Sequence, residues 1–577
     1  MNAATPPCLI PQRVLLWGIA LALVAWMVAV VSLAQVRLTP TFDEQNHVTR
    51  GISVLRTGDY RLVYHHPPAA NLLQGLLVAW APGTRFVMEP AWGNPQDIWP
   101  AARATIWERS ADGVRIIQRA RAATLLFLLL LGLVAFLWAR DLFGPWAGAL
   151  ALALVALDPN LLAHGGLATT DLPATATFAL ALYLLRRYLL RPGRGRLLAA
   201  GAAIGLALAT KFSALLLVPL TGLFLLIALF TDAGPWWPRL LRAAGRFALL
   251  GLIAGVVVWA CYGFRVEPLG SKAGQPLPAN ASALDRVPVP ALQYLRGVKA
   301  VATEAEGHRA YLLGQADTTG KGWWYYFPVA IAAKTPLPEL LAILGMPVLL
   351  ALPRARSALG VAGRELPFLL IPAGLYLAAA LGLFGISLNL GIRHILPLSP
   401  LLLILAGGWA VFAARRRALA AVLLAGLGLQ LASVLRAYPD FLSYFNEAAG
   451  GPARGYRILV DSNYDWGQDL GALAAWQREH GIAEIGLSYF GTTPPAAAGV
   501  RCTPLAGFGV MGGAPAPDLA RYRGYLAVSA TNLMGGPAYT GVDYRALPPS
   551  ALVGRAGRTI FIYHLPAEGG APILEIE

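Results

Sequence analysis

Charge is the scarcest resource in this chain. Only 13% of its 577 residues are Asp, Glu, Lys or Arg, about half the roughly 25% usual in a soluble domain. With 57% apolar residues and a mean hydropathy of +0.57, the composition is that of an integral membrane protein. Cysteine is nearly absent: Cys8, Cys261 and Cys502 stand far apart, which excludes a disulfide framework or a cysteine-built zinc site. Also missing are a Walker A loop, a nucleophilic serine elbow and the His-Glu spacing of zinc proteases. No tandem repeat is visible, as a solenoid would require. Acidic residues are the minority sign, leaving a net charge of +16. The arginines form no single basic face, so nucleic acid is not an expected partner.

What is abundant is apolar sequence in span-length runs. About twenty such residues cross a bilayer as a helix. The runs fall at 14–34, 121–139, 146–163, 172–190, 197–210, 213–231, 246–263, 337–353, 367–386, 395–413 and 418–436, predicting about eleven transmembrane helices. The first run is too long for a signal-peptide core and no small-residue cleavage site follows, so it reads as an uncleaved span. With a cytoplasmic amino terminus, the short basic clusters share one side: Arg140; Arg186, Arg187, Arg191, Arg194 and Arg196; Arg239, Arg242 and Arg246; Arg354, Arg356 and Arg364; Arg415, Arg416 and Arg417. That is the positive-inside pattern. The loops 35–120 and 264–336 and the tail 437–577 then lie outside. Leu72–Ala81, too short to span, predicts an interfacial helix.

The tail changes character. Strand-like pieces at 484–490, 524–529 and 559–563 and a helix at 470–480 predict a small soluble α/β domain. Residues 1–436 are the membrane domain by the same reading.

Ionisable residues beside apolar spans are expensive, so those present need a reason. They collect at the outer ends: Asp43, Glu44, His47, His65 and His66 in the first loop, then Asp158, His164, Asp171, Lys211, Lys334, Arg393 and His394. A carboxylate can take a proton from an acceptor hydroxyl or amine, and Lys or Arg can hold a phosphate leaving group. That mixture fits an outward-facing transferase using a lipid-phosphate donor. A transporter or flippase of lipid-linked sugars is the alternative, for which an internal repeat is the usual sign.

The order Asp43-Glu44, His66-Pro67-Pro68, Asp158-Pro159-Asn160 to Thr169-Thr170-Asp171, Thr210-Lys211-Phe212-Ser213 and Gly391-Ile392-Arg393-His394 resembles the C-type (GT-C) polyprenyl-phosphate-sugar-dependent membrane glycosyltransferases. That family includes the protein O-mannosyltransferases and lipid A aminoarabinose transferases. The resemblance, to a bacterial branch, covers roughly 14–440. It implies a GT-C-like polytopic fold in the bacterial inner membrane and a periplasmic site with a polyprenyl-phosphate sugar donor and an envelope acceptor. It also implies Asp43 as general base beside Glu44, Asp171 as a second acidic position that orders acceptor or, in some relatives, a divalent cation, and Lys211 and Arg393 at the donor phosphate. His65 and His66 occupy loop positions near the donor, with His394 and Lys334 as further substrate-binding candidates. The run Asp461-Ser462-Asn463-Tyr464-Asp465-Trp466-Gly467-Gln468-Asp469 fails as a calcium loop, having Trp466 where Gly belongs and Ala472 where Glu belongs. It reads first as a turn docking the tail on the membrane domain, and second as a sugar or acceptor contact through Trp466.

Overall fold

A computed structural model describes residues 11–87, 97–231, 234–271, 277–278, 280–304, 308–360, 365–383 and 389–566. Cys8, Arg364 and the last residues of the 367–386 run lie outside these. Among the described residues five helices are long and apolar enough to cross a bilayer: Gln12–Gln35, Gly113–Phe143, Phe212–Phe230, Trp236–Cys261 and Arg417–Ala437. Two bent pairs raise the number to seven, against the eleven predicted. Pro145–Ala156 and Pro159–Gly165 meet at 66°, because Asp158 accepts from the Asn160 and Leu161 amides and starts a new helix at Pro159. Leu337–Ala351 and Pro353–Leu359 meet at 107°, because Pro353 holds Leu352 extended. The remaining runs appear as the helices Asp171–Leu190, Arg194–Leu208, Pro367–Ala380 and Leu398–Ala406. Of the two bent pairs, the first breaks inside the 146–163 run, whereas the second breaks where the 337–353 run ends.

The helices share one apolar core in which Met27, Leu128, Leu152, Phe178, Leu208 and Leu401 are buried. The aromatic run Trp323–Phe327 leads into the helix Tyr326–Lys334, with Trp324 exposed and Tyr326 and Phe327 buried.

The tail contains a five-stranded sheet, in the order Leu552–Ala556, Ile560–Leu565, Gly524–Ser529, Ile485–Ser488, Cys502–Pro504. The first three strands pair antiparallel, the last three parallel. The helix Leu470–Glu479 precedes them. A second core joins this sheet to the rest: Leu526, Val528 and Phe561 pack with Tyr326, Ile392 and Ile395.

After the first span, the chain forms the helix Glu44–Thr57 and then Ala69–Leu76. The second overlaps the predicted interfacial segment only at 72–76, and Leu76, Leu77 and Trp80 at and beyond its end are exposed. These two helices cross in backbone contact. A Cβ on Gly51 would stand 1.9 Å from the Asn71 carbonyl oxygen, and one on Gly75 would stand 2.5 Å from the Gly51 carbonyl carbon. Gly51→Ala should therefore wedge the pair apart and cost about 1–3 kcal/mol, read as a lower melting temperature of the detergent-solubilised protein. An unchanged melting temperature would disprove the close crossing.

Candidate active site

The helix Glu44–Thr57 begins at Asp43, but the Asp43 carboxylate makes no capping bond. It faces outward to Arg393, whose Nη1 donates to Oδ2 at 3.0 Å. Arg393 lies on the short turn Ile392–Ile395, just before a membrane helix. The same Nη1 is 3.8 Å from Asp171 Oδ2. Asp171, the buried first residue of the helix Asp171–Leu190, also accepts from Lys211 Nζ at 2.6 Å. Lys211 sits in the break between Arg194–Leu208 and the Phe212–Leu216 turn. Four segments spread over 350 residues of chain thus deliver an alternating row, Asp43, Arg393, Asp171, Lys211.

Histidines line the row. The His47 and His66 rings meet edge to face at 4.9 Å. His47 Nδ1 is 3.1 Å from Asn71 Nδ2, and His66 Nδ1 is 3.3 Å from Thr170 Oγ1. Burial, reinforced by the positive charge of Arg50, holds His47 well below the usual imidazole range; burial, then His47 and Arg50, does the same to His66. Burial and Arg393 also lower His394 and His308. The histidines are therefore neutral at pH 7 and the fixed positive charge is that of Arg50, Lys211 and Arg393. Burial pushes the Asp461 carboxyl up to about 6, with Arg393 opposing the rise. Arg393 Nε and His394 Nε2 are buried and have no hydrogen-bond partner among the described residues. Buried polar atoms are normally paired, so these two invite a polar ligand.

Other predicted residues lie elsewhere. Glu44 is fully buried and its carboxylate accepts from Arg121 Nε and Nη2 (2.8 and 2.7 Å), Thr41 N and Oγ1, and Ala168 N. Its lone pairs are committed, so it anchors Asp43 rather than sharing its chemistry. Lys334 is buried too. Its Nζ donates to the carbonyls of Leu442 (2.8 Å) and Asn463 (2.5 Å) and lies over the Phe445 ring, so it ties down the tail and does not join the row. His65 packs edge-on against Tyr64 at the rim. Arg50, His308 and Asp461 join the site without having been expected there. Only Arg50 carried a signal, lying two helical turns from Asp43 on the Glu44–Thr57 helix.

A divalent cation does not suit this row. Both carboxylates already face cationic donors, and among the described residues no group of three His, Cys, Asp or Glu could hold a metal.

The helices that flank Lys211 leave between them an apolar groove of about 590 Å³ lined by Leu208, Val218, Leu250, Trp259 and Tyr294. Leu208 and Val218 flank the Lys211 break, and Tyr294 packs on Phe212.

Residues 113–260 match the family model described as dolichyl-phosphate-mannose-protein mannosyltransferase. The resemblance read from scattered motifs is thus matched over a continuous segment. No curated protein matches the chain. Among solved structures, ArnT from Cupriavidus metallidurans in the apo state is 15% identical, covering 96% of this chain and 97% of its own, at a TM-score of 0.46. The same protein bound to undecaprenyl phosphate is 15% identical over 97% and 99%, at 0.45. The apo oligosaccharyltransferase of Archaeoglobus fulgidus is 13% identical over 97% and 76%, at 0.44.

Two outcomes follow from the site's electrostatics. Glu44→Gln should cost on the order of 3 kcal/mol of stability, the usual effect of breaking a buried ion pair, seen as a large drop in melting temperature; a small drop would show that Arg121 finds another partner. The folded state resists protonating His47 and His66, whereas the unfolded chain protonates near pH 6.5. Stability should therefore be lost as pH falls below about 6.5, and His47→Gln with His66→Gln should flatten that fall in melts taken between about pH 7.5 and 5.5.

Proposed function

We propose that this multi-pass membrane protein is a glycosyltransferase that moves a sugar from a polyprenyl-phosphate donor to an envelope acceptor. The observation that carries the reading is the Asp43–Arg393–Asp171–Lys211 row, together with an apolar groove between the helices that flank Lys211. The row offers a carboxylate and two cations at one spot, and the groove offers an apolar wall for a prenyl chain. The family match over 113–260 supports the same class.

In this reading the donor phosphate lies between Lys211 and Arg393. Its charge competes with Asp43 for the Arg393 guanidinium, which draws Arg393 away and leaves the carboxylate able to accept a proton. Asp43 takes the proton of the acceptor hydroxyl or amine. The acceptor atom bonds to the anomeric carbon as the bond from that carbon to the phosphate oxygen breaks. The electron pair stays on the phosphate, which leaves as polyprenyl phosphate neutralised by the two cations. One displacement inverts the anomeric centre. Asp171, held by Lys211 and Arg393, orients both cations, and the neutral histidines donate or accept hydrogen bonds around the sugar. The site is placed on the periplasmic face of a bacterial inner membrane, with the amino terminus cytoplasmic and residues 437–577 outside. The basic clusters between spans support that orientation.

The test is incubation of purified protein with labelled polyprenyl-phosphate sugars and envelope acceptors. Free polyprenyl phosphate should be released, and Asp43→Asn should lower the rate by about 10²–10⁴, the size of a lost general base, while leaving the protein folded. Full activity in that variant would remove Asp43 from the mechanism, and transport without release would favour a flippase.

A further inference from the structure

The run Asp461–Asp469 grips both members of the Asp43–Arg393 pair from behind. On one side, the Phe42 amide donates to the Trp466 carbonyl at 2.9 Å and the Thr39 amide to the Gln468 carbonyl at 3.0 Å. Thr492 Oγ1 closes on the Phe42 carbonyl at 2.8 Å, and the Phe42 ring stacks on Phe490. The residue just before Asp43 is thus fixed at its amide, its carbonyl and its ring by the tail. On the other side, the Ile392 amide donates to Asn463 Oδ1 at 3.0 Å, and Ser462 Oγ donates to the Leu390 carbonyl. The two strands of chain approach so closely that a Cβ on Gly391 would stand 2.5 Å from Ser462 Oγ. The residue just before Arg393 is therefore fixed by the tail as well. Between the two grips, the Arg393 guanidinium lies over the buried Trp466 ring at 4.5 Å.

The run is itself rigidly held. Asp461 adopts a left-handed φ of 55° with its amide bonded to Thr531 Oγ1. Asp465 accepts from the Thr531 amide, and Asp469 accepts from the amides of Arg558 and Thr559. Backbone strain in a non-glycine residue persists where the surroundings over-determine it, and here the sheet supplies them.

We infer that the run 461–468 is part of the active site, with Trp466 as the positioning residue that sets Arg393 and with the Trp466 carbonyl and Asn463 setting the backbone that carries Asp43 and Arg393. The assignment of a reaction to that pair rests on the function proposed above; the mechanical coupling does not. A flat aromatic face fixes the guanidinium plane without consuming its N–H donors. Those donors remain available for Asp43, Asp171 and a phosphate. The tail therefore does more than cover the membrane domain: it fixes the backbone residue just before each of the two charges.

The experiment uses the full chain in micelles. Trp466→Leu and Asn463→Ala should speed amide hydrogen exchange in peptides spanning 41–47 and 389–395 and leave the 552–565 strands protected. Wild-type exchange in both peptides would overturn the inference whatever the activity. Affinity for polyprenyl phosphate alone should fall about tenfold in Trp466→Leu, within the range of a desolvated cation–π contact, and recover in Trp466→Phe. Ile562→Val, a core change in the sheet, controls for general loss of stability and should keep wild-type affinity. An equal loss in Ile562→Val would reduce Trp466 to ordinary packing. If wild-type protein neither binds nor releases polyprenyl phosphate, the proposed function falls, and the exchange result alone decides the positioning role.

Discussion

The Glu44–Arg121 pair is the constraint on which the outer face depends. Arg121 belongs to the second long helix and is fully buried. Besides Glu44, its guanidinium donates to the carbonyls of Gln35, Leu38 and Thr39, the end of the first span and the turn after it. Glu44 in turn reaches the Ala168 amide, three residues before Asp171. One ion pair therefore ties together the exit of the first helix, the second helix and the loop that presents the second acid. A lone arginine or carboxylate at that depth would be costly, but each lone pair and donor here has a partner, so the arrangement is tolerated. Its consequence is geometric. With Glu44 turned inward and held, its neighbour Asp43 is left to face Arg393.

This division of labour between adjacent carboxylates explains what could and could not be read from residue order. Two acids side by side after a membrane span mark a candidate site, and spacing alone gives no means of separating their roles. Burial separates them: Glu44 is 0% exposed and saturated, whereas the Asp43 side chain is 26% exposed and has Arg393 as its ion-pair partner. Asp171, Lys211 and Arg393 were legible because charge at the end of an apolar run is rare and needs a reason. Lys334 satisfied the same rule for a different reason, holding the Leu442 and Asn463 carbonyls of the tail. Rarity identifies a residue under constraint without naming the constraint.

The fold divides along similar lines. The tail strands at 485–488, 524–529 and 560–565 were visible because a short apolar run between Gly- and Pro-rich stretches is a local property. Helix continuity was not visible. Hydropathy averages over Asp158-Pro159 inside the 146–163 run, while the backbone breaks there because the Asp158 carboxylate caps a new helix. The break at Leu352-Pro353 falls where the 337–353 run already ends. Trp466 was harder still. Its contact with Arg393 spans more than seventy residues, and its carbonyl reaches Phe42 across most of the chain. No periodicity encodes such pairings.

The charge row also constrains what the site can do at rest. Asp43, Asp171 and Asp461 together balance Lys211, Arg393 and Arg50, so the site is near neutral at rest and its cations are already met by carboxylates. With no other anion present, Arg393 rests on Asp43 at 3.0 Å. In the proposed reaction an arriving phosphate would compete with Asp43 for that guanidinium, and Trp466 would keep it from following far. The base would then be released only when the leaving group is already in place. Coupling of that kind would keep Asp43 paired whenever the donor is absent, and it follows from placing one arginine between two acids and over one indole ring.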